Sequence, residues 1–222
     1  MKYKQTISFI SSTILLLSLQ ACSNPKDANK DNLKKALNQY FETHPSCFTL
    51  FDSKFPHYEG IGPRGESRSM SGYSQWYDAM AEAGLLTTQT IENKTSMGIL
   101  GEYVEVRRKF ELSEEGASAF DSQKRFCYGV REIIDITNFT EPTVSMKEGG
   151  TTSKVLYTYR IKDKKPWVDR LPLSKFSYSN GLTTINELLE DRPALSGTAS
   201  GEASLVLTEK GWVDSRELSS SR

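Results

Sequence analysis

Signals of chemistry are scarce in this sequence of 222 residues, which holds two histidines and three cysteines. It has no His-Glu-x-x-His run, no glycine-rich phosphate cradle and no Gly-x-Ser-x-Gly elbow. The commonest zinc-peptidase, nucleotide-binding and serine-hydrolase patterns are therefore absent. Basic and acidic side chains balance at 28 each and no basic cluster stands out, so a nucleic-acid backbone finds no electrostatic footprint and is not an expected partner. Long apolar runs are also lacking. The greasiest stretch, Ile7 to Leu19, is broken by Ser and Thr and falls short of the ~20 residues that a bilayer-crossing helix needs.

That stretch is informative in its surroundings. Lys2 and Lys4 precede it, and Leu19-Gln20-Ala21-Cys22 follows it, the layout of a secretory signal with a small residue at the cut. The combination resembles the lipobox signal peptide of bacterial lipoproteins. The resemblance implies that residues 1–21 are removed and that Cys22 carries a diacylglyceryl group on sulfur and an acyl chain on its new amino group. Two chains suffice for stable anchoring where one is marginal. Ser23, in a place where aspartate would retain the protein at an inner membrane, points to the outer membrane, facing the periplasm. Without residues 1–21 the body carries 26 basic and 28 acidic side chains.

Cys47 and Cys127 are then the remaining pair in an oxidising compartment, where idle thiols tend to be joined. Closing a loop of roughly 80 residues stabilises a fold by about 4 kcal/mol in the chain-entropy model. Two separate buried thiols are the alternative, since free cysteine packs as a small hydrophobe.

Residues 22–30 are polar, contain Pro25 and lack aromatics, and read as a flexible tether. From residue 31 to 222 the pattern is that of an α+β domain: an antiparallel sheet of long strands with a few packed helices. Asp31 reads as the N-cap of a helix over Asn32–Glu42, with Leu33, Leu37, Tyr40 and Phe41 on one face. Phe55–Gly72 holds two prolines and four glycines and reads as a long loop. A helix over Tyr73–Ala83 is stopped by Gly84. Strands are expected over Glu102–Leu112, with Val104, Val106, Phe110 and Leu112 inward and Arg108 awkwardly among them, over Arg125–Phe139 with a kink at Gly129, over Lys154–Ile161, and over Ala203–Thr208. Lys162–Pro172 reads as an irregular crossover. Leu182, Ile185, Leu188 and Leu189 suggest a helix closed by Arg192-Pro193. Phe110–Gly116 and Leu205–Gly211 share an apolar-x-Leu-Ser/Thr-Glu-charged-Gly pattern, which leaves open two similarly built lobes, residues 31–124 and 125–222.

From Trp76 to Gly116, a helix ending Ala-Gly-Leu-Leu, a variable stretch and a strand ending Leu-Ser-Glu-Glu-Gly resemble the end of a winged-helix module. The resemblance implies architecture alone, because the basic recognition helix that reads DNA is missing.

No catalytic, cofactor or metal set is expected. His44, His57 and Cys47 are too few for a zinc site, and Glu141, Asp163 and Asp169 are the carboxylates left for a glycosidase-like pair. Tyr73, Trp76 and Trp167 are candidate partner-binding aromatics, with core filling as the alternative. The expectation is a non-catalytic, lipid-anchored binding or structural protein of the bacterial envelope, whose partners are the membrane and another envelope protein. An inhibitor or immunity-type lipoprotein that plugs a toxin or wall hydrolase with Phe55–Gly72 is one alternative; a periplasmic hydrolase is another.

Overall fold

Apolar residues spaced by two and by three or four build strands and helices that close on one continuous core. The computed structural model describes residues 24–50, 54–61, 73–96, 102–146, 148–173 and 185–219. In chain order these form α1 (Lys30–Thr43), β1 (Ser46–Phe48), β2 (His57–Gly60), α2 (Tyr73–Glu82), β3 (Leu86–Ser96), β4 (Glu102–Leu112), α3 (Glu114–Ala119), β5 (Phe126–Phe139), β6 (Thr143–Ser145), β7 (Gly150–Lys162), α4 (Asn186–Glu190), α5 (Arg192–Ser196), β8 (Ala199–Thr208), β9 (Gly211–Asp214) and α6 (Ser215–Ser219). A 3-10 turn, Pro166–Arg170, follows β7. The α+β class with an antiparallel sheet of long strands is what the sequence pattern anticipates.

The larger sheet runs β1-β5-β7-β8-β9, with β6 lying beside β7 past the end of β5. Val155, Tyr157, Tyr159 and Ile161 alternate inward along β7 and are buried. Helix α1 covers this face with Leu33, Leu37 and Phe41, each contributing roughly 1.5–3 kcal/mol on burial. Its N-cap is Asn29, whose side chain accepts from the Asn32 amide at 2.9 Å, so the helix starts a little earlier than the Asp31 reading placed it. Asp31 instead sits in the first turn, where an acidic side chain suits the helix dipole. Beyond β1 the outer edge of β5 is met by α1: Asn38 Oδ1 accepts from the Ile133 amide, and Lys34 Nζ donates to the Ile134 carbonyl. Those contacts blunt an edge that would otherwise template aggregation.

Cys47 and Cys127 are register partners on β1 and β5 and are joined by a disulfide across 80 residues. Beside them, the Phe48 ring touches Phe126, Tyr128, Trp167 and Trp76. Through Trp76 this cluster reaches the smaller sheet, ordered β2-β4-β3.

In the smaller sheet, β3 and β4 pair from Leu86↔Leu112 out to Ser96↔Glu102. Leu86 and Phe110 are buried at the root, whereas Val104 further out is exposed, so the inward face expected for β4 holds only near its base. The hairpin projects as a wing. Part of the expected Phe55–Gly72 loop is strand β2, paired with β4 through His57↔Phe110 to Gly60↔Arg107; residues 62–72 lie outside the described part. Pro193 opens α5 where a helix end was expected, because its missing N–H is harmless in a first turn. Leu182 lies outside the described residues.

The Gly-Leu-Leu and Leu-Ser-Glu-Glu-Gly pieces lock together. Gly84, with φ of +82°, ends α2. Ser113 accepts from the Gly116 amide and donates to the Gly84 carbonyl at 2.6 Å. A Cβ on Gly116 would lie 1.9 Å from the Leu85 carbonyl oxygen. The echo at Thr208 ends differently: Thr208 Oγ1 donates to the Gly211 carbonyl across the tight β8–β9 turn, where Gly211 has φ of +117°. One pattern thus caps a helix and the other closes a hairpin.

Gly116→Ala forces two backbones apart and is expected to cost at least the ~1–3 kcal/mol of an overpacked core. Urea unfolding checks this; a midpoint equal to that of the native protein would contradict the close approach.

Candidate functional site

Aromatic candidates resolve first. Trp76 and Trp167 are 3% and 1% exposed, so neither presents its ring to a partner; both take the core-filling alternative around Phe48. A glycine-rich neighbourhood made them look loop-borne, but each sits on a helical turn whose inner side faces the sheet junction. Tyr73 opens α2, and its side chain lies outside the described residues.

Three polar clusters invite a chemical reading. The tightest surrounds Asp191, a fully buried carboxylate at the junction of α4 and α5. It accepts from the hydroxyls of Tyr128 and Tyr159, each at 2.7 Å, and from Arg131 Nε and Nη2 at 3.0 and 2.9 Å. Arg131 also lies over the rings of Tyr159 and Phe41. Burial first, and the charge and hydrogen bond of Asp191 next, push the Tyr128 and Tyr159 hydroxyls well above the usual tyrosine range. Both Asp191 oxygens are met within the cluster, so it is a brace between two helices and two strands.

A second cluster joins the elements of the smaller sheet. Arg108, the inward charge anticipated on β4, donates to Glu59 on β2 at 2.9 Å and to Asp78 on α2 at 2.6 Å. The His57 ring stacks on Tyr77 at 4.0 Å, and its Nε2 is 3.7 Å from Glu59. In the third, the buried Asp214 carboxylate takes both Nε and Nη2 of Arg216, whose guanidinium lies 4.3 Å over Tyr40.

The other candidates are not assembled. His44 stacks on Tyr40 at the end of α1, and the Cys47 sulfur is bonded to Cys127, which leaves no thiolate. Asp121 lies close to those two sulfurs, but its carboxylate is taken by Arg125 and by the amides of residues 123 and 125. Glu141 precedes β6 near one end of β7, while Asp163 follows β7 at the other. At ~3.3 Å per residue they stand about 30 Å apart, several times the span of a glycosidase pair. Asp169 is held by Lys164 at 2.6 Å.

Among the described residues, a shallow groove of about 260 Å³ runs between Phe139, Lys154, Leu156 and Glu202, below the ~300 Å³ at which small-molecule pockets begin. A cleft of about 100 Å³ lies between Pro25, Lys35, Gln39 and Lys210.

That cleft marks the feature sequence reading missed. The stretch expected to be a tether is folded from Asn24 onward. The Trp212 indole donates to the carbonyls of Lys26 and Asp27, both at 3.2 Å, and Asn32 Nδ2 donates to those of Asn24 and Asp27. Gly211 lies so near Pro25 that a Cβ there would stand 2.9 Å from the Pro25 carbonyl oxygen. Backbone carbonyls do the binding, so side-chain pattern carried no sign of it. Cys22 and Ser23 lie outside the described residues, and no described helix is long and apolar enough to cross a membrane.

Comparison with protein-family models, with curated proteins and with solved structures finds no match for this chain.

Asp191→Asn leaves the buried Arg131 charge without its closest counter-charge, with half-exposed Glu187 at 3.8 Å as the one remaining, and is expected to cost about 3–5 kcal/mol, read as a lower urea midpoint. The raised tyrosines fix the alkaline limb as well. Their folded pKa values exceed the unfolded value of about 10, so the network's contribution is complete below that pH and is lost as pH climbs past it. Tyrosine absorbance at 295 nm should rise in two stages, exposed rings first and Tyr128 and Tyr159 only with unfolding; a single stage complete before the fold opens would contradict the brace.

Proposed function

We propose that this protein is a lipid-anchored, non-catalytic binding or structural component of a bacterial cell envelope, held at the outer membrane through Cys22 and facing the periplasm. The observation that carries the reading is the partition of the three cysteines. Two are joined across β1 and β5, a pairing that persists where the surroundings are oxidising. The third stands two residues before the first described residue, behind an apolar stretch with a basic head and a lipobox-like run.

The polar clusters support the non-catalytic part. Each ion group binds one element to another, and none lines a pocket of substrate size among the described residues. The partner is another envelope protein, and the wing is the surface with most to offer it: on β3, Thr87, Thr88, Gln89 and Thr90 are exposed in a row, with side chains suited to adaptable hydrogen bonding.

Mass spectrometry of native protein from a membrane fraction should find the chain starting at residue 22 with three fatty chains attached, and Cys22→Ala should move the protein to the soluble fraction. An intact Met1, or an unmodified Cys22 sulfur on a membrane-bound chain, overturns the reading.

A further inference from the structure

The docked N-terminus gives the body a fixed orientation if the anchor is where the lipobox-like run places it. Cys22 precedes Asn24 by two residues, at most ~7 Å of chain, and the Asn24 carbonyl is held by Asn32 Nδ2 at 2.8 Å. The point of emergence is therefore part of the fold. A free linker of nine residues would have let the body tumble at ~30 Å from the lipid; this arrangement does not.

The register shows what else lies at that end. Gly211, against which Pro25 packs, pairs with Thr208 in the β8–β9 turn. Strand β8 pairs with β7 through Val206↔Thr152, and β7 with β6 through Gly150↔Ser145. The β6–β7 and β8–β9 turns therefore lie side by side, two strand spacings or ~10 Å apart. At that end, on the short strand β6 and where the β6–β7 turn begins, stand the two most exposed large apolar side chains described, Val144 at 84% and Met146 at 100%. Scattered singly such residues need no account. Two of them within three residues, at the end from which the anchor emerges, point to an apolar surface opposite. The smaller sheet joins at the far end of β5, where Phe48, stacked on Phe126, meets Trp76.

We propose that the end of the large sheet carrying Pro25, Gly211, Val144 and Met146 rests on the phospholipid surface, with Val144 and Met146 dipping into it, so that the wing points into the periplasm. The proposal rests on acylation of Cys22. Charges at this end have both signs, Lys26 and Lys210 beside Asp27, Glu148 and Glu209, so contact is driven by the lipid tether and the apolar pair, and depends little on anionic lipid or salt.

The test uses the acylated full-length mature protein in vesicles of phosphatidylethanolamine with a minor share of phosphatidylglycerol. A fluorescent label is placed at Val144→Cys, or at Lys94→Cys on the wing, with the native disulfide intact, and doxyl-labelled lipid serves as quencher. Position 144 should be quenched several-fold more than position 94, at low and high salt alike, and adding Met146→Asp should reduce that quenching while the protein stays vesicle-bound. A vesicle-bound protein whose label at 144 is as water-exposed as that at 94, or whose wing is the quenched site, overturns the orientation and leaves the anchor standing. A spectral shift at 144 that grows with protein concentration and ignores doxyl lipid means a second copy covers the turn, and also overturns it. Unmodified Cys22 by mass, with no protein floating with the vesicles, removes the anchor and the orientation together.

Discussion

A carboxylate with no access to water must be met on all its lone pairs, and in this fold Asp191 is that carboxylate. Its partners come from β5, through Tyr128 and Arg131, and from β7, through Tyr159. The peptide junction that carries it is short: α4 and α5 have five residues each, too few to be stable by propensity, and rely on burial of Leu188, Leu189 and Ala194 together with the cluster. The cluster thus fixes where that junction lies on the sheet, and its cost is offset only while all three partners stay in register. Because β5 and β7 are held at that end, β1 can pair with β5 and bring Cys47 opposite Cys127. The disulfide then constrains the unfolded chain, while the Asp191 cluster specifies the folded one.

The same end of the sheet supports the smaller sheet. Phe48, packed on Trp167, meets Trp76, and Arg170 donates to the Ala83 carbonyl and pairs with Glu115, tying the 3-10 turn to the end of α2 and to α3. A wing whose β3 is polar and mostly exposed and whose β4 is half-buried beyond Phe110 has little burial of its own; its geometry is that of the root. Leu86, Phe110 and the Arg108 cluster make that root rigid, which lets β3 display polar side chains without needing a core beneath them.

Legibility in the sequence followed burial. β7 was readable because Val155, Tyr157, Tyr159 and Ile161 recur at every second position, mostly against polar or charged neighbours, and α1 because Leu33, Leu37 and Phe41 recur at helical spacing. β3 was not, since a strand solvated on both faces has no alternation to show. β2 was hidden by Pro56 and Gly60, which read as loop although the four residues His57–Gly60 pair with β4. Trp76 and Trp167 were misread because local glycine and proline content says nothing of which side of a turn faces a core contributed by residues far along the chain. The docked segment was invisible for a plainer reason: Trp212 binds carbonyls 185 and 186 residues away, and a backbone carbonyl has no identity in a sequence.

That last contact changes what a lipid at Cys22 means physically. On a free tether, an acyl anchor concentrates a body near a bilayer but leaves its orientation to chance, so any binding surface is presented only part of the time. Here Asn32 holds the chain two residues after the cysteine and Trp212 holds it four and five residues after, so a lipid at Cys22 would leave the body little freedom to reorient before a partner arrives. Ordering already present in the free protein is not charged against binding. If Cys22 is acylated as proposed, a modest polar surface such as the wing would suffice for binding, because the clamp and the lipid together would supply the positioning that a larger apolar interface would otherwise have to provide.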